Sequence, residues 1–291
     1  MHNHKAHGPH GHHDYSHEVM GDILEQEGAL HRGFNADAAA WLSGLITVPV
    51  ARVLDAGSGP GLAACVLAEA FPDAEVTALD PQDGLLARAA ARAERLGLGG
   101  RFRTHRAELP GGVDGLDPVD LAWSSRALHH VGDQQAAVDA LAATLRPGGV
   151  LAVVEGGLPP RCLPRDLGLG TPGLEARMDA AAQDWFSDMR TDLPETAAAV
   201  EDWTGMITKA GLTPAGTKTF LADLPAPLSA EDRRFVHTRL TMTRDQLADA
   251  LLPEDKATLE TLLDPDSPHG VLHRRDVFFL HALTVHTGRK E

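Results

Sequence analysis

The sequence predicts an α/β protein built on a doubly wound, mostly parallel sheet. Three observations point there. Short apolar segments between residues 51 and 155 alternate with amphipathic stretches of helical length, a glycine-rich turn joins the first of these segments to the first stretch, and the composition is globular, 43% hydrophobic and 23% charged over 291 residues. Short strands separated by helices need crossover connections, which give parallel pairing with helices on both faces. The right-handed sense of such crossovers winds them into a two-sided layer.

The elements follow in order. Over residues 18–45, Val19, Ile23, Leu24, Leu30, Phe34, Ala38, Trp41, Leu42 and Leu45 recur at helical spacing, so one or two helices cap the entrance to the core. Strands are expected at 51–55 (ARVLD), 75–79 (EVTAL), 101–105 (RFRTH), 119–123 (VDLAW) and 149–155 (GVLAVVE), with helices at 61–70, 82–97 and 133–145 between them. Residues 156–173 are dense in glycine and proline and read as a long connection without a regular element. Helical patterns return at 174–190 and 195–210, a strand at 215–222, helices at 229–252 and 254–263, and a β-rich close at 276–286. The late insertions, near 156–193 and 223–270, are expected to form a lid.

Several classes of function are disfavoured. Acidic residues outnumber Lys and Arg by 41 to 26, a formal charge of −15, which repels nucleic-acid backbones at long range. Two cysteines, Cys65 and Cys162, supply neither a disulfide framework nor a cysteine zinc cluster, and no metal site is expected. No apolar run reaches the roughly 18–20 residues that cross a bilayer, and no membrane partner is expected. Residues 1–17 carry seven histidines and no apolar signal core. That tract reads as a flexible arm with adventitious metal affinity, on a soluble, cytoplasmic protein.

The strongest local signal is Val53–Gly61, VLDAGSGPG, which ends a strand and opens a helix. Gly57, Gly59 and Gly61 permit a tight turn and a ligand lying against the backbone. The helix start beyond them offers free N–H groups and a positive dipole end. Asp80 ends the next strand, where a carboxylate can accept from both hydroxyls of a ribose. This leaves the nucleotide open, because GPGLAA also satisfies the dinucleotide pattern GxGxxA.

Taken together, DAGSGPG, VTALDP, RAELP, WSSRALHHV and LRPGG resemble the class I S-adenosylmethionine-dependent methyltransferases, in the small-molecule branch that includes the ubiquinone-biosynthesis type. Nearer the C-terminus, GTPGLEARMDAA and LLDPDSPHGVLHRRDVFF resemble actinobacterial members of that branch, so the likeness spans roughly residues 40 to 288. The resemblance implies a seven-stranded sheet with an antiparallel last strand, one methyltransferase domain over 46–291, S-adenosyl-L-methionine as cofactor and a small molecule as substrate. A homodimer is left open. Within the loop, Asp55, Gly57, Gly59 and Gly61 are implied to bind the cofactor, the glycines beneath its methionine part. Asp80 would hold the ribose and Pro81 lie beside the adenine. Glu108 would face the adenine amino group with Leu109 as an N–H donor, and Ser124 and Ser125 would border the sulfonium.

Methyl transfer needs donor and acceptor aligned and water excluded, and a base only where the acceptor loses a proton. His129 and His130 follow the fourth strand and are candidates for that base; the other reading gives them a packing role. Glu155, at the end of the fifth strand, is a candidate for holding a polar group of the substrate, or a simple capping carboxylate. Tyr15 is a candidate aromatic cover for the cofactor, and Trp185, Phe186 and Trp203 candidate walls of the substrate pocket. The fourth strand ends in AWSS, without the (D/N)PP(Y/F) tetrapeptide of adenine or glutamine methylation, without a Pro-Cys pair, and without the metal set of catechol-type enzymes. Oxygen or carbon of a small molecule is thus the favoured acceptor, with small amines still open. Three competing readings are a cofactor-retaining catalyst such as a cyclase, a regulatory binding protein, and a nicotinamide oxidoreductase.

Overall fold

The computed structural model describes residues 17–291; the histidine-rich arm and Tyr15 lie outside the described residues. Seven strands form one sheet: β1 (Arg52–Ala56), β2 (Glu75–Asp80), β3 (Phe102–Arg106), β4 (Val119–Ser125), β5 (Leu145–Arg161), β6 (Thr213–Leu224) and β7 (Phe279–Arg289). Their order is β3-β2-β1-β4-β5-β7-β6. Parallel ladders join β3 to β2, β2 to β1, β1 to β4 and β4 to β5, while β7 runs antiparallel to both β5 and β6. The chain reverses its strand order at β1 and β4, and the carboxyl ends of those two strands frame the crevice where open α/β sheets bind ligands.

Nine helices among the described residues cover this sheet: α1 (His17–Leu30), α2 (Arg32–Leu45), α3 (Leu62–Ala70), α4 (Asp83–Arg95), α5 (Gln134–Thr144), α6 (Leu174–Asp192), α7 (Trp203–Lys209), α8 (Ala230–Gln246) and α9 (Pro253–Leu263). Two apolar cores result, one per face. The larger joins the sheet to α2, α3, α4, α6, α8 and α9; the smaller joins it to α5 and α7. The central strands are covered on both faces, β4 being buried from Val119 to Ser124.

Three expected boundaries move. Residues 156–161, expected as loop, prolong β5: positive φ at Gly156 and Gly157 bulges the strand, and pairing resumes as Gly157 to Leu283, Leu158 to Ala282 and Arg161 to Leu280. Beyond Val154 the strand has left β4, so Pro159 and Pro160 remove no hydrogen bond on that side. The helix expected over 195–210 shortens to α7. Pro194 and Glu195, the latter at φ 54, break the chain, and Asp202 caps the new start by accepting from the Gly205 N–H at 2.8 Å. The helix expected over 229–252 ends at Gln246, and Pro253 holds Leu252 extended and opens α9.

Candidate cofactor and acceptor site

The turn after β1 is built from glycines with two different jobs. Gly57, Gly59 and Gly61 all sit at positive φ, 75°, 53° and 74°. A Cβ on Gly57 would stand 2.3 Å from the Ala127 Cβ, and one on Gly61 2.5 Å from the Ala89 Cβ. Those two positions are closed by packing. A Cβ on Gly59 would meet nothing within 4 Å, so here the bare backbone borders open space. The turn is pinned by the Gly57 and Ser58 N–H groups, which donate to the Leu79 carbonyl at 2.8 and 2.9 Å.

Asp80 ends β2 beside this turn, buried to 6% exposure. Its Oδ2 accepts from the Gly59 N–H at 3.0 Å and its Oδ1 from the Gln82 N–H at 2.9 Å, so each oxygen keeps acceptor capacity. Burial raises its pKa, and the two backbone N–H groups hold the rise back. Asp55 is buried more deeply, and its Oδ2 has no partner among the described residues. Burial pushes its pKa up to about 7, opposed by the Ala64 N–H and reinforced by the charge of Asp80. A buried oxygen left without a donor is costly unless a ligand supplies one.

These groups open on one cavity of about 820 Å³ at the carboxyl edge of the sheet, large for a single ligand. Of the residues expected in the site, Asp55, Gly57, Gly59, Asp80, Pro81, Glu108, Leu109, Ser125 and His130 line it. Gly61, Ser124, His129 and Glu155 do not line it. Gly61 lies behind the turn against Ala89. Ser124 is fully buried and its Oγ donates to the Ala56 carbonyl at 2.9 Å, tying β4 to β1. Glu155 faces inward as a clamp: Oε1 accepts from the Leu128 N–H at 2.9 Å, and Oε2 accepts from His129 Nδ1 at 2.9 Å. That pair fixes the short turn that carries His130, whose ring stands 4.1 Å from that of His129. Enclosure lowers the His130 pKa to about 4, with a further contribution from the neighbouring His129, so the imidazole facing the cavity is neutral at physiological pH.

Phe186 packs on His129 at 5.8 Å between ring centroids, but neither it, Trp185 nor Trp203 lines the cavity. Trp203 is buried in the smaller core. No residue from 223 to 270 reaches the cavity either; α1, α2 and Pro194–Glu195 cover it instead.

The opposite wall was not legible in the sequence. It is formed by Met20, Leu24, His31, Phe34 and Asn35 from the first two helices, with Arg126 and Leu283. Arg126, at φ 52, directs its guanidinium to Glu27, Nη1 to Oε1 at 2.5 Å. Burial alone would raise the Glu27 pKa, but the charge and hydrogen bond of Arg126 dominate, helped by His31 and Arg239, and bring it to about 2. His31 Nδ1 donates to the Glu27 carbonyl at 2.8 Å, since a carbonyl only accepts; its Nε2 therefore accepts from His281 Nδ1, also at 2.8 Å. Burial, with Arg126 second, lowers His31 to about 4, and burial, with His31 second, lowers His281 to about 3. The pair is neutral at physiological pH. Its members stand 250 residues apart, and no spacing rule joins them.

The family described as "Methyltransferase domain" matches residues 53–149, from the glycine turn to the start of β5. The chain is similar to a trans-aconitate 2-methyltransferase of Variovorax paradoxus, 31% identical over 45% of this chain and 50% of that one. It is also similar to a malonyl-[acyl-carrier protein] O-methyltransferase of Nitrosospira multiformis, 33% identical over 34% of this chain and 36% of that one. The chain thus spans half or less of these relatives' lengths. An O-methyltransferase family protein from Burkholderia thailandensis has the same fold, with a TM-score of 0.52 at 18% identity over 71% of this chain and 57% of that one. Residues 53–149 match a methyltransferase domain, and the strand order and glycine turn agree with the fold of class I S-adenosylmethionine-dependent methyltransferases. The site fits that cofactor, in the open cradle at Gly59, the spare acceptor sites of Asp80 and the unpartnered Oδ2 of Asp55.

Proposed function

We propose that this chain transfers a methyl group from S-adenosylmethionine to an oxygen or carbon of a small molecule held in the cavity. The observation that carries the reading is the meeting, in one cavity, of a cofactor-shaped turn with a neutral imidazole, His130. When bound, S-adenosylmethionine supplies an electrophilic methyl on a positively charged sulfur. The residues then divide by task. Asp80 accepts from ribose hydroxyls, Pro81, Glu108 and Leu109 hold the adenine end, Asp55 pairs with the amino group, and Ser125 borders the sulfur. The acidic lining of this end of the cavity suits a cationic cofactor.

His130 takes the acceptor's proton as the new bond forms. Its side chain lines the cavity with no hydrogen-bond partner among the described residues, and the His129–Glu155 clamp keeps the ring in place. Helices α1 and α2 and the loop at 193–202 act as the cover that excludes water.

The test is methyl transfer from labelled S-adenosylmethionine, run with S-adenosylhomocysteine titrations. In His130→Ala, kcat is expected to fall by about 10²–10⁴ with the S-adenosylhomocysteine Kd unchanged. Unaltered turnover in that variant removes His130 as the base.

A further inference from the structure

The methyl-transfer reading gives no task to Asn35, a polar side chain of the cavity wall. Asn35 lies one helical turn beyond His31 on α2, lines the cavity, and is only 7% exposed. Its backbone N–H donates to the His31 carbonyl at 2.9 Å, but among the described residues nothing hydrogen-bonds its side-chain amide. A carboxamide offers two donors and two acceptor sites, and leaving them unmet in a buried position is costly. The groups around it set what could meet them. Arg126 is the one Lys or Arg among the described residues that line the cavity, and its charge is already matched by Glu27. Its Nη1 goes to Glu27, and its other N–H groups remain as donors. His31 and His130 are neutral at physiological pH. The carboxylates of the cavity lining are Asp55, Asp80, Glu108, Asp133 and Glu195, and none comes from α1 or α2. The remaining wall here is apolar, with Leu24, Phe34 and Leu283.

Such a wall has hydrogen-bonding capacity but no spare positive charge to balance an anion, and the carboxylates elsewhere in the cavity add repulsion. A cationic acceptor would find no free carboxylate from α1 or α2 in the cavity lining, and Glu27 is already paired with Arg126. Resting on the methyl-transfer reading above, we propose that Asn35 is a specificity residue that reads the oxygen of an uncharged acceptor, a phenol or enol on an apolar body, and that this wall rejects carboxylates.

Three probes of nearly equal size test it: 2-naphthol, 2-naphthoate and 2-naphthylmethylamine, titrated calorimetrically into the protein loaded with S-adenosylhomocysteine. The naphthol is expected to bind about ten-fold or more tighter than either charged probe. Asn35→Leu should weaken naphthol binding by about the same factor while S-adenosylhomocysteine affinity stays as it was. Asn35→Ser, which keeps a single hydroxyl, replaces the leucine variant if that one fails to fold. Tighter binding of the naphthoate or the amine, no binding of the naphthol, or a variant with unaltered preference overturns the proposal. Naphthol that binds but is not methylated supports the specificity and counts against methyl transfer. Absence of S-adenosylhomocysteine binding overturns both.

Discussion

At the scale of single residues, the three glycines of the turn separate into two closed by packing and one bordering open space. Gly57→Ala drives a methyl into Ala127 in addition to its backbone strain, and should lower Tm by several degrees or prevent folding. Gly59→Ala meets no neighbour, so a melting curve should show a smaller loss of about 1 kcal/mol from backbone strain, while calorimetry shows S-adenosylmethionine affinity falling sharply. Equal losses of stability in the two variants would remove the distinction. Asp55 gives a pH test. Its folded pKa, about 7, lies above the ordinary carboxylate value, so its ionised form opposes folding. That penalty is absent well below pH 4, grows as pH rises towards 7 and is constant above it. Asp55→Asn should therefore raise the Tm of the ligand-free protein at pH 8 more than at pH 4, and abolish the gain in S-adenosylmethionine affinity expected of the native protein between pH 5.5 and 7.5. All these residues stand in VLDAGSGPG, and the motif alone made them candidates. Which glycine borders open space was not legible, since that depends on Ala127 and Ala89, remote in sequence.

At the scale of elements, the alternation of strand and helix through the first half of the chain was read correctly from periodicity, and the boundaries that moved lie where a bulge or a proline decides them. The late helices hold to one another through specific contacts. Arg177 on α6 bridges both oxygens of Asp255 on α9, with bonds of 2.9 and 2.7 Å, and Asp255 is 1% exposed. Arg177→Ala leaves a buried carboxylate unpaired and should cost about 3 kcal/mol in a denaturant titration. A change within 0.5 kcal/mol would mean that water replaces the guanidinium. Glu155 illustrates why site roles were harder to read than elements. Its place at the end of the predicted strand 149–155 fits a substrate contact equally well on sequence grounds, and only the three-dimensional path of the 128–130 turn shows that its oxygens are already taken.

At the scale of the whole molecule, segments far apart in the chain meet at the cavity: His31 pairs with His281, and Glu27 with Arg126. None of this wall was legible, because residues far apart in sequence with no motif between them converge only in the fold. The pairing has a pH signature. His31 and His281 have folded pKa values near 4 and 3, below the ordinary histidine value of 6.5, so the unfolded chain takes up protons first. Their contribution to stability is full above pH 6.5 and is lost as pH falls towards 4. His281→Leu should accordingly flatten the dependence of Tm on pH between 6.5 and 4; an unchanged slope would show that the pair is protonated in the native state. Above all these stands the cofactor site. Titration of S-adenosylmethionine into the native protein and into Asp80→Ala measures it most directly. Saturable one-site binding is expected, weakened in the variant by about 1.5–3 kcal/mol. No heat of binding to the native protein, or equal affinity in the two, would contradict the site as described.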